Sequence, residues 1–150
     1  MLEIYVDADA CPVKEEVLRV ARRHGLRVHM ISNQWMRAAH APSVHRVVVS
    51  DGPDAADDWI VEHIGENDIA VTRDIELAAR CLEKGAMAIG PSGLPFTGDN
   101  IGMAVAMRDL TRHLRETGEI KGSHPSHTPR DRSRFLEALE ATIQAIRRRA

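Results

Sequence analysis

The chain has 150 residues and a formal net charge of −2 at pH 7, which suits one globular domain with a sizeable core. No run approaches the roughly 20 apolar residues of a membrane span, and the amino terminus lacks the basic and apolar regions of a signal peptide, so we expect none. Two distant cysteines match no metal or redox spacing, which favours a cytoplasmic protein with reduced thiols.

Charge is unevenly distributed along the chain. Residues 1–110 contain 11 Lys and Arg against 17 Asp and Glu, whereas residues 111–150 contain 9 against 5. An acidic body with a basic C-terminal segment suits a protein that binds a metal and approaches phosphates. A solvated basic helix end explains the same segment at least as well.

Strand and helix patterns alternate along the first ninety residues. In chain order they predict a strand at 2–6, a helix from Pro12 to Gly25, strands at 27–31 and 45–49, a helix over 54–64, a strand at 68–72, a helix over 74–84 and a strand at 86–89. Pro12 places the start of the first helix near Ala10 or Cys11. The alternation predicts an α/β domain with a mostly parallel central sheet of about five strands.

The last third of the chain is predicted to be helical, with two loops. Residues 90–98 form a loop, and a long helix follows from about Asp99, with four large side chains facing the core: Met103, Met107, Leu110 and Leu114. A flexible connector is expected at 118–128. The C-terminal helix is expected at 129–148, and its apolar face comprises Phe135, Leu139, Ile143 and Ile146.

Aspartates follow four of the predicted strands. They are Asp7 and Asp9 after the first, Asp51, Asp54, Asp57 and Asp58 after the third, Asp74 after the fourth and Asp99 after the fifth. Ligands of open parallel sheets bind outside the carboxyl ends of the strands, so we expect these side chains at one edge. Taken singly, Asp54, Asp74 or Asp99 could instead cap a helix, which is worth about 1 kcal/mol.

A cluster of carboxylates predicts a divalent cation. Uncapped carboxylates in close contact repel each other and raise each other's pKa, and a cation removes that penalty. Oxygen ligands without His or Cys favour Mg²⁺ or Mn²⁺ over Zn²⁺, and such ions support phosphoryl-transfer chemistry in nucleases and phosphatases. Asp54 and Asp58 lie one helical turn apart and make the better pair, with Asp57 as a substitute.

Four further residues are weaker candidates. Lys14 and Arg73 lie near the expected acidic edge, where each could contact a substrate phosphate or neutralise a carboxylate. Asp99 and Asn100 could contribute to the same site, although helix capping explains Asn100 equally well.

Several long motifs resemble the bacterial YaiI/YqxD family of uncharacterised proteins. They are VDADACPVK, DGPDAADDWIV, DIAVTRDIELAARCLEKGA, GDNIGMAV and RDRSRFLEAL, and together they cover nearly the whole chain in order. That family is grouped with PIN-like domains, many of which are metal-dependent ribonucleases or 5′-nucleases. The resemblance therefore implies a single PIN-like domain over 1–150 that acts on RNA or another nucleic acid.

The resemblance also implies roles for individual aspartates. The acid that ends strand one of PIN-like domains is matched by Asp7, and the acid of the Thr-x-Asp element is matched by Asp74. The acids of the mid-domain helix are matched by Asp54 and by Asp57 or Asp58, while Asp9 would be an outer or second inner ligand. Residues 33–46 contain no carboxylate, although PIN-like enzymes often carry a further acid there.

Two alternative functions remain open. A haloacid-dehalogenase-type phosphatase would use Asp7 as nucleophile and Asp9 as acid/base, but would leave Asp54, Asp57 and Asp58 unused. A non-catalytic PIN-like module would instead dock nucleic acid or protein through phosphate contacts. Candidate contacts for such a module are Arg108, Arg112, Arg115, Lys121, Arg130, Arg132 and Arg134.

Overall fold

The computed structural model describes residues 2–33, 43–50, 52, 54–116 and 127–149. Asp51 and most of the predicted connector therefore lie outside the described residues. A six-stranded sheet is formed by β1 (Ile4–Asp7), β2 (Val28–Ser32), β3 (Val44–Val48), β4 (Ile69–Val71), β5 (Met87–Ile89) and β6 (Pro95–Phe96). Its helices are α1 (Lys14–His24), α2 (Ala55–His63), α3 (Ile75–Glu83), α4 (Ile101–Glu116) and α5 (Pro129–Arg149). None of the described helices is both long and apolar enough to cross a membrane.

The sheet has the order β3-β2-β1-β4-β5-β6, and its first five strands are parallel. Parallel pairing brings the carboxyl ends of these five strands to one edge. The predicted α/β fold with a mostly parallel sheet is confirmed, and a three-layer PIN-like arrangement is consistent with it.

Apolar side chains on both faces of the sheet pack against helices. Alternate residues of β1 point to opposite faces, so Ile4 and Val6 pack with α1 and α5, whereas Tyr5 packs with α2 and α3. The predicted apolar face of α5 is buried as expected, with Phe135 and Leu139 inaccessible to solvent. Thr128 and Asp131 start this helix with reciprocal side-chain-to-backbone hydrogen bonds of 3.1 and 3.0 Å.

The first helix begins later than predicted. A single 3-10 turn at Ala8–Ala10 follows β1, and α1 starts only at Lys14. Cys11 is extended, because the ring of the following Pro12 disfavours the helical conformation at this position. The helix ends at Gly25, whose φ of 67° is the left-handed conformation that glycine adopts most readily.

The segment after β5 differs from the prediction in two respects. The predicted loop at 90–98 contains the sixth strand, β6, which pairs antiparallel with β5. The prediction that Met103, Met107 and Leu110 face the core is wrong, because they are 69%, 53% and 50% exposed. Helix α4 packs instead through the side that carries Ile101 and Ala104. Two apolar stripes compete on this helix, and hydrophobic spacing alone does not choose between them.

Candidate metal centre at the carboxyl edge of the sheet

The centre of the sheet is its topological switch point. From β1 the chain builds outward to β2 and β3 on one side, and from β4 it builds to β5 and β6 on the other. Connections that leave in opposite directions open a crevice at the carboxyl ends of the two central strands, where ligands bind in folds of this kind. Asp7 ends β1, and Thr72 directly follows β4.

A buried threonine links the acids of the two central strands. The Thr72 hydroxyl donates a hydrogen bond to Asp7 Oδ2 at 3.1 Å, and its oxygen accepts one from the backbone N–H of Asp74 at 2.9 Å. Thr72 is only 3% exposed, so these bonds are shielded from solvent. Sequence reasoning placed Thr72 in a Thr-x-Asp element but missed this bridge, although a hydroxyl two residues before a helix-capping acid is a signal for it.

Asp74 has two structural roles. Its Oδ1 caps α3 by accepting hydrogen bonds from the backbone N–H groups of Glu76 and Leu77, at 2.9 and 3.2 Å. Its carboxyl group also lies beside that of Asp57 on α2, where it raises the pKa of Asp57. Asp74 therefore caps α3, as one of the two interpretations predicted, and it also lies close to the other acids.

The crowding of these carboxyl groups changes their acidity. Burial, followed by the charges of Asp74 and Asp7, raises the pKa of Asp57 to about 7. Burial also raises the pKa of Asp7, against the hydrogen bond from Thr72, and the charge of Asp9 adds to the increase. Asp57 and Asp7, which lie in one cluster with Asp74, therefore hold their protons to a higher pH than ordinary aspartates do.

The two other acids of α2 lie differently. Asp54 occupies the position before the helix without a side-chain capping bond, and its charge contributes to the raised pKa of Asp57. Asp58 accepts a hydrogen bond from Arg80 of α3 at 3.1 Å and is exposed. The expected pairing of Asp54 with Asp58 is therefore replaced in the structure by Asp57 against Asp74.

Asp9 lies beside the cluster and is tied to the neighbouring strand. Its carboxylate accepts a hydrogen bond from the Ser32 hydroxyl at the end of β2. It accepts a second one, of 3.0 Å, from the backbone N–H of Asn33. Ser32 was not among the residues singled out from the sequence, because a lone serine at a strand end carries no distinctive pattern.

Basic groups lie close to the acids. The charges of both Lys14 and Arg73 lower the pKa of the Cys11 thiol, while burial raises it to about 11, so the thiol stays protonated. The charge of Asp7 also acts on Cys11, which places these groups in one neighbourhood. Lys14 and Arg73 therefore lie near Asp7, and their contact with a substrate phosphate stays a prediction.

The remaining two candidates lie elsewhere, because the antiparallel β6 turns the chain back before it reaches Asp99 and Asn100. The Asn100 Oδ1 accepts from the backbone N–H of Thr97 at 2.8 Å, and the Asn100 side-chain amide donates to Pro95 O at 2.8 Å. Asn100 therefore helps to start α4, as the capping alternative predicted. The structure does not bring this pair to the cluster of Asp7, Asp57 and Asp74.

As they stand, no three His, Cys, Asp or Glu side chains of the described ranges are arranged to hold a metal ion. The arrangement is an acid cluster in which the pKa values of Asp7 and Asp57 are raised, with basic groups nearby. Such a cluster can accept a cation in place of a proton, and the basic groups can attract a phosphate.

Comparisons with known proteins identify relatives along the full chain. A family model described as "Uncharacterized BCR, YaiI/YqxD family" matches residues 5–145. A UPF0178 protein of Parvibaculum lavamentivorans is 64% identical over 99% of this chain and 98% of its own length. UPF0178 proteins of Rhodospirillum rubrum and Agrobacterium fabrum are 58% and 56% identical over 98% and 97% of this chain, and over 99% and 95% of theirs. The chain therefore belongs to the YaiI/YqxD family, as its motifs suggested.

Proposed function

We propose that this chain is a PIN-like, metal-dependent phosphodiesterase that hydrolyses RNA at the carboxyl edge of its sheet. The observation that carries the proposal is the convergence of Asp7, Asp57 and Asp74 from three separate elements at the switch point of the sheet. Carboxylates that crowd together at a ligand-binding edge are costly to stability, and such clusters are typical of functional sites.

The chemistry of these donors suits a hard divalent cation, and binding would have to rearrange the carboxyl groups, since as they stand no three of those described are arranged to hold one. Asp7, Asp57 and Asp74 would hold Mg²⁺ or Mn²⁺, with Asp54 and Asp9 at the margin, and the cation would offset the mutual repulsion that raises the pKa of Asp57. When bound, such a cation supplies charge stabilisation for the phosphoryl group and an activated water.

Neighbouring residues hold the acids of this site in position and supply positive charge beside them. Thr72 holds Asp7 and the backbone of Asp74 at a fixed separation, and Ser32 fixes Asp9 to the end of β2. Lys14 and Arg73 would contact the phosphates of the nucleic acid, which bind chiefly through charge. The neutral Cys11 thiol takes no part in this chemistry, because burial raises its pKa to about 11.

The haloacid-dehalogenase alternative is less well supported. In that mechanism Asp9 would exchange a proton with the leaving group, but both of its oxygens accept hydrogen bonds from Ser32 and Asn33. It would also leave the acidic contact between Asp57 and Asp74 without a purpose.

Calorimetric titration with Mn²⁺ tests the proposal, using the parent and the Asp7→Asn/Asp74→Asn double variant. We expect the double variant to bind Mn²⁺ at least tenfold more weakly, while it still folds because asparagine also caps helices. Asp58→Asn is the matched control and should bind as the parent does, since Asp58 faces Arg80. Equal Mn²⁺ binding by parent and double variant would contradict the metal site.

Cleavage of labelled single-stranded RNA in Mn²⁺ then tests the reaction. The parent should cut, and the double variant should not. RNA that binds to both proteins without any cleavage would instead identify a docking module.

A further inference from the structure

A second group of ionisable side chains lies at the opposite, amino end of the sheet. His29 on β2 and His45 on β3 are aligned partners in the parallel pair, and their Nδ1 atoms are 3.0 Å apart. Glu3, directly before β1, places Oε1 2.5 Å from His29 Nε2. Neither histidine belongs to the aspartate cluster, and the proposed nuclease chemistry uses neither of them.

The contact with Glu3 determines where His29 carries its proton. In the neutral ring, Nε2–H donates to the carboxylate of Glu3, so the lone pair lies on Nδ1 and points toward His45 Nδ1. A carboxylate that accepts from the far nitrogen of a histidine is the usual outer partner of a metal-ligating histidine. The ring of Tyr5 stacks on His29 at a centroid distance of 4.5 Å and helps to hold it in this orientation.

We propose that His29 and His45 form a second metal-binding site, specific for imidazole-preferring divalent transition metals such as Zn²⁺, with Glu3 as the outer partner of His29. The two facing Nδ1 atoms can be joined in two ways: the Nδ1–H of neutral His45 donates a hydrogen bond to His29, or both nitrogens bind one cation in place of that proton. Imidazole nitrogens favour Zn²⁺ and its neighbours over Mg²⁺, so this site and the aspartate cluster select different ions.

The distance between the two nitrogens is close to the one that such an ion requires, and the exposed His45 ring also has to turn, because each metal–nitrogen bond lies about 35° from the line that joins the nitrogens. Zn–N distances of about 2.05 Å at a tetrahedral angle separate the two nitrogens by about 3.3 Å, against 3.0 Å between them here. His45 is exposed and β3 is an edge strand, so a shift of a few tenths of an ångström is accessible. Exposure also lets water complete the coordination, consistent with the absence of a third protein ligand among the described residues.

The local charges favour a cation overall. Asp68 lies beside Glu3 and accepts a hydrogen bond from the Glu3 backbone N–H at 2.9 Å, so two carboxylates flank the histidine pair. The positive charge of Arg27 opposes them.

Zn²⁺ titration in excess Mg²⁺ tests this site, with His45→Ala as the main variant because its exposed side chain leaves the core intact. We expect His45→Ala to weaken Zn²⁺ binding at least tenfold, and Glu3→Gln to weaken it by about tenfold through loss of the outer partner. His63→Ala is the matched control, since the His63 ring stacks on Trp59 and its Nδ1 is 2.7 Å from Trp59 O. It should bind within about twofold of the parent.

Two further measurements separate this site from the aspartate cluster. The Asp7→Asn/Asp74→Asn variant should keep full Zn²⁺ affinity, so failure of the proposed nuclease site would leave this result unchanged. Nitrogen-15 spectra should show His45 changing to the tautomer that carries its proton on Nε2 when Zn²⁺ is added. A parent that binds no Zn²⁺, or a His45→Ala variant that binds it as well as the parent does, would overturn the inference.

Discussion

At the residue scale, the candidate site depends on where each carboxyl group finds its partner. Thr72 joins Asp7 to the backbone of Asp74, whereas Asp57 faces the Asp74 carboxyl group across α2 and α3. Asp57 and Asp58 are adjacent in sequence, but only one of them enters the cluster, because successive helical residues point about 100° apart. Substituting Asp57 and Asp58 separately therefore tests which of them belongs to the site.

Neutralising Asp57 should therefore affect the site far more than neutralising Asp58. We expect Asp57→Asn to weaken Mn²⁺ binding and any RNA cleavage at least tenfold, and Asp58→Asn to change both by less than twofold, since Asp58 makes an exposed contact with Arg80. Calorimetry and gel-based cleavage assays on the two variants measure this. The opposite order would place Asp58 in the site.

The same residue should make metal-free stability depend on pH. The pKa of Asp57 is about 7 when folded, above its ordinary value of 3.8, so the folded state loses stability as pH rises through this interval. Asp57→Asn removes that cost. We expect the variant to be more stable than the parent at pH 8, by about 1 kcal/mol after allowing for solvent screening, with little difference at pH 4. Urea unfolding in the presence of a chelator measures this, and a gain that is equal at both pH values would contradict it.

At the element scale, α4 and α5 show how similar apolar patterns lead to different environments. Both helices repeat large apolar residues at helical spacing, but α5 buries its stripe against α1 and β5, whereas α4 exposes Met103, Met107 and Leu110. The difference arises because α5 shares one face of the sheet with α1, while α4 packs beside α3.

Truncation of one leucine in each helix should reveal this difference. Leu139→Ala should lower the free energy of unfolding by about 2–5 kcal/mol, because it leaves a cavity in the core. Leu110→Ala should change it by less than about 0.5 kcal/mol, because half of the side chain already contacts water. Chemical denaturation of both variants measures the effect. A large loss for Leu110→Ala would mean that another surface covers α4.

At the scale of the whole molecule, the last helix completes the layer that begins with the first. Glu140 of α5 contacts the ends of two side chains of α1, at 2.5 Å from Arg23 and 2.9 Å from His24. Arg147 adds a hydrogen bond to the backbone carbonyl of His24 at 3.0 Å. These contacts join segments more than a hundred residues apart and fix how α5 lies along α1.

Loss of the contact between Glu140 and α1 should lower the free energy of unfolding by an amount that depends on pH. Hydrogen bonds from His24, Gln144 and Arg23 lower the pKa of Glu140 to about 2, so its stabilisation is present above its ordinary pKa of 4.5 and is lost as pH falls towards 2. Glu140→Gln should cost up to about 1 kcal/mol at pH 7, the range of partly exposed ion pairs. The difference from the parent should shrink as pH falls. A constant difference down to pH 2 would show that packing, rather than charge, accounts for it.

The sequence alone determined the class of fold and most of its elements. Hydrophobic periodicity, Gly25 and the Thr128–Asp131 capping pair mark where α1 ends and α5 begins, because these signals act within one or two helical turns. The sequence also predicted acids after β1, β3 and β4. The carboxyl ends of parallel strands lie at the same edge of the sheet whatever the order of the strands, so the edge could be predicted without tertiary information, whereas the distances along it could not.

Tertiary structure decided which of those acids meet and which faces are covered. The rotation of α2 against α3 determines that Asp57, and not Asp58, lies in the aspartate cluster. The short antiparallel β6 leads the chain away from this cluster before it reaches Asp99 and Asn100. The pairing of His29 with His45 likewise follows from the register of β2 with β3. Local sequence cannot encode these outcomes by itself, because the rotation of a helix and the register of a strand are set by packing against segments distant in the chain.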